Sequence, residues 1–251
     1  MIMMDFLKRI AKKILFPHTY SSEAYINYLK KQGVKIGHHC HIYSPNHTII
    51  DCQRPHTLFI GDYCKITQGV TILSHDYSMS VVKRKYHEHI GDMGITIIGN
   101  NVFIGMNTII LMGSEIGNNC IIGAGSIVSG KYPSDSVIAG NPARVICTID
   151  DYYIKKKKQV YDKAKRYYIL FKQSYGRKPT VEEMGNAFAW LYLPRNEESL
   201  FRYEFLFKLS GDNIEETKKD FLNSVPMFKN YDEFCESVES EIVLGYDREQ
   251  I

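Results

Sequence analysis

No apolar run in the 251-residue chain approaches the roughly 20 residues that a membrane-spanning helix needs, so nothing in it is expected to cross a bilayer. Charge of one sign is not in excess either. The 31 basic and 28 acidic residues leave +3 overall, split as +4 up to residue 150 (14 basic, 10 acidic) and −1 beyond it (17 basic, 18 acidic). That balance, with no zinc-finger or RNA-binding signature, argues against a nucleic-acid surface. The six cysteines never form C-x-x-C, and no His-x4-His pair occurs, so a zinc site of either kind is unsupported. No G-x-G-x-x-G opens a helix, and Gly123-Ala124-Gly125 fits another pattern, which removes the dinucleotide-binding reading. The N-terminal stretch MIMMDFLKRIAKKILF lacks the unbroken apolar core of a secretory signal, because basic residues interrupt it every few positions.

What the chain does have is a beat of six. Isoleucine or valine stands at residues 98, 104, 110, 116, 122 and 128, and glycine follows at Gly99, Gly105, Gly117 and Gly123. The slot four after each beat holds Val102, Thr108, Ser114, Cys120 and Ser126, all compact. The cadence recurs at Ile60, Ile66 and Ile72, and more faintly at Ile36-Gly37 and Ile42. Six matches neither the 3.6-residue period of a helix nor the alternation of an isolated strand. It is the period of a parallel β-helix, whose repeats bury their apolar faces only by stacking on one another. Cys40, Cys64 and Cys120 occupy the compact slot and read as packing thiols, as expected in a reducing cytoplasm.

The pattern divides the chain. Residues 1–32 read as an N-terminal helical cap. Phe6, Leu7, Ile10 and Ile14 form one face opposite Lys8, Arg9, Lys12 and Lys13, Pro17 ends that helix, and Ser21-Ser22-Glu23 can open a second through Tyr25 and Leu29. The basic face packs on the first coil or holds weakly to anionic lipid at a membrane surface. Residues 33–148 carry the repeats. The gap of 26 from Ile72 to Ile98 is not a multiple of six, which predicts an inserted loop over 76–94, and long loops in compact domains tend to be functional. Residues 149–251 form a helical extension holding 19 of the 31 aromatics. It contains one long helix from Asp150 to Tyr175, a capping box at Thr180-Val181-Glu182-Glu183, and helices over Leu200–Leu209 and Ile214–Leu222. Flanking helices of this kind cover the open ends of a coil stack.

The run ITIIGNNVFIGMNTIILMGSEIGNNCIIGAGSIVSGKYPSDSVIAGNPARVI over residues 95–146 resembles the hexapeptide-repeat O-acetyltransferases of the galactoside, maltose and capsular-polysaccharide type. IGNNVFIG, IGAGSIV and AGNPARVI come in order behind a histidine-bearing loop, and the likeness covers about residues 40–148. It implies a left-handed parallel β-helix, a homotrimer with sites between subunits, acetyl-CoA as donor, a saccharide or glycan as acceptor, and no metal. The catalytic histidine of that family stands where a repeat runs into the inserted loop, which points to His75 in Thr71-Ile72-Leu73-Ser74-His75-Asp76. The chemistry agrees, since a sugar hydroxyl needs a base to attack a thioester and histidine is matched to that task. The neighbouring Asp76 is left without a role, because adjacent side chains rarely point together.

The same resemblance nominates Asn46, His87 and His89 for contact with the acceptor. For coenzyme A it nominates Gly105, Met106, Ala124, Ser129 and Lys131, with Arg144 meeting phosphate. Lys131 is displaced by one position from the family pattern, because Gly130 intervenes. His38, His39 and His41 are read as solvent-facing. Three alternatives stay open at this point: an amino-sugar nitrogen or serine as acceptor, a zinc hydrase on the same architecture, and a non-catalytic assembly subunit.

Overall fold

Two successive residues in an extended strand point to opposite faces. In a computed structural model of the chain, which describes residues 11, 13–208 and 212–243, most hexads spend two or three residues in such a strand, and the beat residue ends it facing inward. The first coil is β1 (Lys35–Ile36), β2 (His41–Ile42) and β3 (Ile49–Ile50). The second is β4 (Leu58–Ile60), β5 (Lys65–Ile66) and β6 (Thr71–Ile72), and the third is β7 (Thr96–Ile98), β8 (Phe103–Ile104) and β9 (Ile109–Ile110). The fourth is β10 (Glu115–Ile116), β11 (Ile121–Ile122) and β12 (Ile127–Val128). Next come β13 (Lys131–Tyr132) and β14 (Ser136–Gly140), and β15 (Ala143–Thr148) turns back antiparallel on β14.

From β1 to β11, each strand pairs in parallel with the strand three places on, which gives three faces. Face A is β1-β4-β7-β10-β13, face B is β2-β5-β8-β11-β14-β15, and face C is β3-β6-β9-β12. The register stacks like on like. Ile42, Ile66, Ile104, Ile122 and Ile138 form one column through face B, and none is more than 1% exposed. Burying each such side chain contributes about 1.5–3 kcal/mol. The compact-slot residues Val102, Thr108, Ser114, Cys120 and Ser126 are buried beside them, as is Cys64, whereas Cys40 on the first coil is only half-buried. The corner from face A to face B is built from asparagine. Asn101 and Asn119 hold left-handed backbone (φ 54° and 53°), which asparagine tolerates better than most residues, and Asn101 Nδ2 donates to Asn119 Oδ1 at 3.0 Å.

The irregularities have physical causes. Ile97 pairs with Glu115, an advance of 18 residues, but Ile42 pairs with Ile66, an advance of 24. The extra residues of the first coil lie at its corners, in the 3-10 turns Pro45–His47 and Pro55–Thr57, which blur the cadence there. From Ile72 to its partner Ile110 the advance is 38, which accommodates the insertion. That insertion is not all loop: it carries a two-turn helix, α2 (Met79–Tyr86). Ahead of the coils, α1 (Ser22–Gln32) starts at Ser21, whose hydroxyl accepts from the Ala24 N–H, and it buries Tyr25 and Leu29. The helix expected before Pro17 lies mostly outside the described residues.

The chain divides into two compact units, Met1–Tyr153 and Ile154–Ile251. The second has its own aromatic core of Tyr168, Tyr192, Phe207, Phe221 and Phe234. It contains most of α3 (Ile149–Tyr175), then α4 (Val181–Met184), α5 (Glu197–Arg202), α6 (Ile214–Asn223) and α7 (Tyr231–Val243). The capping box at α4 is formed, with Thr180 Oγ1 accepting from the Glu183 N–H and Glu183 Oε2 accepting from the Thr180 N–H. The segment expected as one helix over Leu200–Leu209 is instead the end of α5 followed by the 3-10 turn Glu204–Leu206, and residue 209 lies outside the described residues. α7, which buries Phe234, Cys235 and Val238, forms in addition to the helices expected from the sequence. No helix among the described residues is long and apolar enough to cross a membrane.

Candidate active site

Asp51 and His75 both follow strands of face C, β3 and β6, and so arrive at the same corner on successive coils. The Asp51 N–H donates to the Ile72 carbonyl at 2.9 Å, which anchors the residue to the second coil. His75 Nδ1 lies 2.5 Å from Asp51 Oδ2. The same carboxylate oxygen accepts from the Ser74 N–H at 3.0 Å and from Ser74 Oγ at 2.5 Å, while Asp51 Oδ1 accepts from the Gln53 N–H at 2.9 Å. The side chains of His75 and Asp51 are only 16% and 10% exposed. Burial pushes the Asp51 carboxyl up, but the bonds from Ser74, Gln53 and His75 outweigh it and hold the group down to about 2.

A carboxylate at Nδ1 requires a proton on that nitrogen, which leaves Nε2 of a neutral imidazole with its lone pair free to accept one. The ring is steadied from a second side by Tyr77, edge-on at 5.2 Å between centroids, and the Tyr77 hydroxyl accepts from Gln53 Nε2 at 3.4 Å. Asp76, adjacent to the histidine, is occupied elsewhere: its Oδ1 accepts from the Ser78 N–H and Oγ at 2.9 and 2.6 Å and shapes the turn into α2. Asp51 was passed over in the sequence because 24 residues separate it from His75. The signal that could have found it is the repeat register, which sets β3 beside β6 and puts the residues after Ile50 and Ile72 on one corner.

The other nominated residues fall into separate groups. Gly105, Met106 and Ala124 meet on adjacent coils at the corner from face B to face C. There the Met106 carbonyl accepts from the Gly125 N–H at 2.8 Å, and a Cβ on Gly105 would stand 2.5 Å from the Ala124 nitrogen. Only glycine allows that approach. Met106 and Ala124 are exposed there. Arg144, on β15, is also exposed, and its Nη1 donates to the Ala143 carbonyl at 2.7 Å. Ser129 and Lys131 lie at the C-to-A corner, the one that carries His75, but two coils further on. Lys131 pairs with Glu115 at 2.8 Å, and the Ser129 carbonyl accepts from the Tyr132 hydroxyl at 3.1 Å. Within one chain, therefore, the histidine and the Gly105–Ala124 strip sit at opposite ends of face C.

Asn46 is exposed in the 3-10 turn ahead of β3. His87 caps the C-terminus of α2 with φ 57°, and His89 follows; both are exposed, and no hydrogen bond or ring contact joins either to His75. Of the early histidines, His39 stacks on Tyr63 at 4.7 Å and His41 meets the Tyr43 ring edge-on at 4.6 Å. Among the described residues no group of three His, Cys, Asp or Glu side chains is placed to hold a metal ion.

Comparison with known proteins bears on this arrangement. The family model described as "Bacterial transferase hexapeptide (six repeats)" matches residues 95–130. Protein CapG of Staphylococcus aureus is 38% identical over 127 residues, which is 51% of this chain and 73% of CapG. Galactoside O-acetyltransferase of Escherichia coli is 42% identical over 117 residues, 45% of this chain and 55% of that enzyme. Among solved structures, a maltose O-acetyltransferase from Clostridium difficile 630 superposes with a TM-score of 0.35 at 27% identity, covering 50% of this chain and 75% of that one. The family model and the extent of the CapG match, set beside the stacked three-strand coils, show that this chain belongs to the bacterial hexapeptide-repeat transferases, acyltransferases built on a left-handed parallel β-helix.

Proposed function

We propose that the protein transfers the acetyl group of acetyl-CoA to a saccharide hydroxyl, with His75 as general base. The single observation that carries this reading is the 2.5 Å contact of His75 Nδ1 with Asp51, which leaves Nε2 free where the insertion departs from the coils. The attacking hydroxyl gives its proton to Nε2 as its oxygen bonds to the thioester carbonyl carbon. The tetrahedral intermediate then collapses, the C–S bond breaks, and Nε2 returns the proton to the departing sulfur. Asp51 holds the ring in one tautomer and stabilises the imidazolium that forms between the two steps.

The strip of Gly105, Met106 and Ala124, exposed at Met106 and Ala124, suits the narrow pantetheine arm, and the exposed guanidinium of Arg144 suits a phosphate of coenzyme A. Ser129 and Lys131 complete the proposed donor contacts. Because that strip and His75 occupy opposite ends of face C in one chain, the complete site draws them from neighbouring subunits of a homotrimer. Light scattering is expected to give about three times the 29.0 kDa chain mass. Asn46, His87 and His89 are proposed to contact the acceptor. The relative named as a galactoside O-acetyltransferase favours a sugar hydroxyl over an amine, with a role in bacterial surface-glycan assembly in the cytoplasm, at or near the membrane's inner face. A screen of sugars with acetyl-CoA, read by release of free thiol, tests the reading. Acetylated sugar is the expected product; thiol release independent of any sugar, or none at all, rejects it.

A further inference from the structure

The insertion after His75 carries a second feature, the polar face of α2. Ser80, Lys83, Arg84 and His87 stand at helical spacing i, i+3, i+4 and i+7, so they share one side. Together they line an open depression of about 810 Å³, a volume in the range of small-molecule sites. From Tyr77 through His87 there is no acidic residue, and no ion pair engages Lys83, Arg84 or Lys85 among the described residues. The acids that flank the helix are Asp76, bound to Ser78, and Glu88 and Asp92 beyond it. Lys85 lies over the Tyr86 ring at 4.9 Å, off the shared face. The helix is tied to the proposed base at close range. Its Ser80 N–H donates to the carbonyl of Tyr77, the residue whose ring packs on His75.

We infer that this face of α2 is an acceptor subsite that selects a sugar bearing an anionic group, a phosphate or a carboxylate. The inference rests on the acetyltransferase reading of His75 and deepens it. A guanidinium, an ammonium, an imidazole and a hydroxyl converging on one depression supply donors and positive charge without a neutralising partner. A neutral sugar would leave that charge unused, whereas a phosphate or carboxylate accepts charge-assisted hydrogen bonds from it. The depression lies on the helix of the insertion that follows His75, and that helix is joined to the base through Tyr77.

The test is equilibrium binding to the full chain at low ionic strength, with galactose, galactose 1-phosphate and galacturonic acid as probes. At least one of the two anionic sugars is expected to bind about tenfold or more tightly than galactose, and which of them does so separates phosphate from carboxylate. Raised salt is expected to shrink the preference. Arg84→Gln is expected to remove most of it, and Lys83→Gln, an independent exposed change, to reduce it. Neither variant is expected to alter the melting temperature or the affinity for acetyl-CoA. Four results overturn the inference: anionic sugars binding no tighter than galactose; a preference that survives both variants; variants that weaken acetyl-CoA instead, which assigns the charge to the donor; or variants that lose only binding to phosphatidylglycerol vesicles, which assigns it to a membrane surface. Because binding is read without turnover, His75→Ala is expected to keep the anionic preference. The subsite can thus fail while the acetyltransferase reading stands, and the reverse.

Discussion

Replacing Asp51 by asparagine removes one charge and little else, and the structure allows its cost to be estimated. Asp51 Oδ2 accepts from the Ser74 N–H, from Ser74 Oγ and from His75 Nδ1. An amide oxygen in the same place keeps hydrogen bonds but loses the charge that stabilises the imidazolium formed during transfer. Charge-assisted bonds are about twice as strong as neutral ones, so the loss is about 1–3 kcal/mol of transition-state stabilisation. That corresponds to a fall in kcat of roughly ten- to a hundredfold, with little change in KM for acetyl-CoA. The same substitution carries a stability signature. The Asp51 carboxyl is depressed from its ordinary value of 3.8 to about 2, so its contribution is present above pH ~4 and is lost as pH falls towards 2. Asp51→Asn is therefore expected to remove about 2 kcal/mol of acid-sensitive stability and to flatten acid unfolding in that window. Steady-state thiol release and denaturant melts at pH 6, 4 and 2.5 measure both effects. A variant with wild-type kcat and an unchanged acid transition refutes the role given to Asp51.

Other perturbations probe the frame. Gly105→Ala drives a methyl group to within 2.5 Å of the Ala124 backbone nitrogen, so a loss of about 1–3 kcal/mol in thermal or denaturant unfolding is expected. Ile104→Ala empties part of the fully buried face B column and is expected to cost about 2–5 kcal/mol, read as a shift in urea midpoint without a change in slope. Thr180→Ala removes the side-chain half of the α4 capping box and is expected to cost about 1 kcal/mol in the second unit.

The coils were legible because each one repeats the same burial. Ile98, Ile104 and Ile110 had to face inward together, and a period of six with compact residues four later has no helical or simple strand solution. The insertion was legible as a break in that arithmetic. Its helix was not, because it is only eight residues long and none of them is fully buried. The site was half legible. His75 stood out by type and by its place at the mouth of the insertion. Asp51 did not, because the two 3-10 turns of the first coil blur the spacing that aligns it with the second. The sequence offered Asp76 by adjacency, but the backbone turns its carboxylate towards Ser78. α7 was missed because its burial depends on partners such as Tyr168 and Tyr192, far away in sequence and brought together only in the folded second unit.

The central claim is that the imidazole of His75 moves the proton. The most direct measurement is kcat for acetyl transfer by His75→Ala at saturating acetyl-CoA, beside its melting temperature. A loss of about 10²–10⁴-fold in an equally stable protein that still binds acetyl-CoA is the predicted result. Turnover within about threefold of wild type would contradict the account, because a general base contributes far more than that.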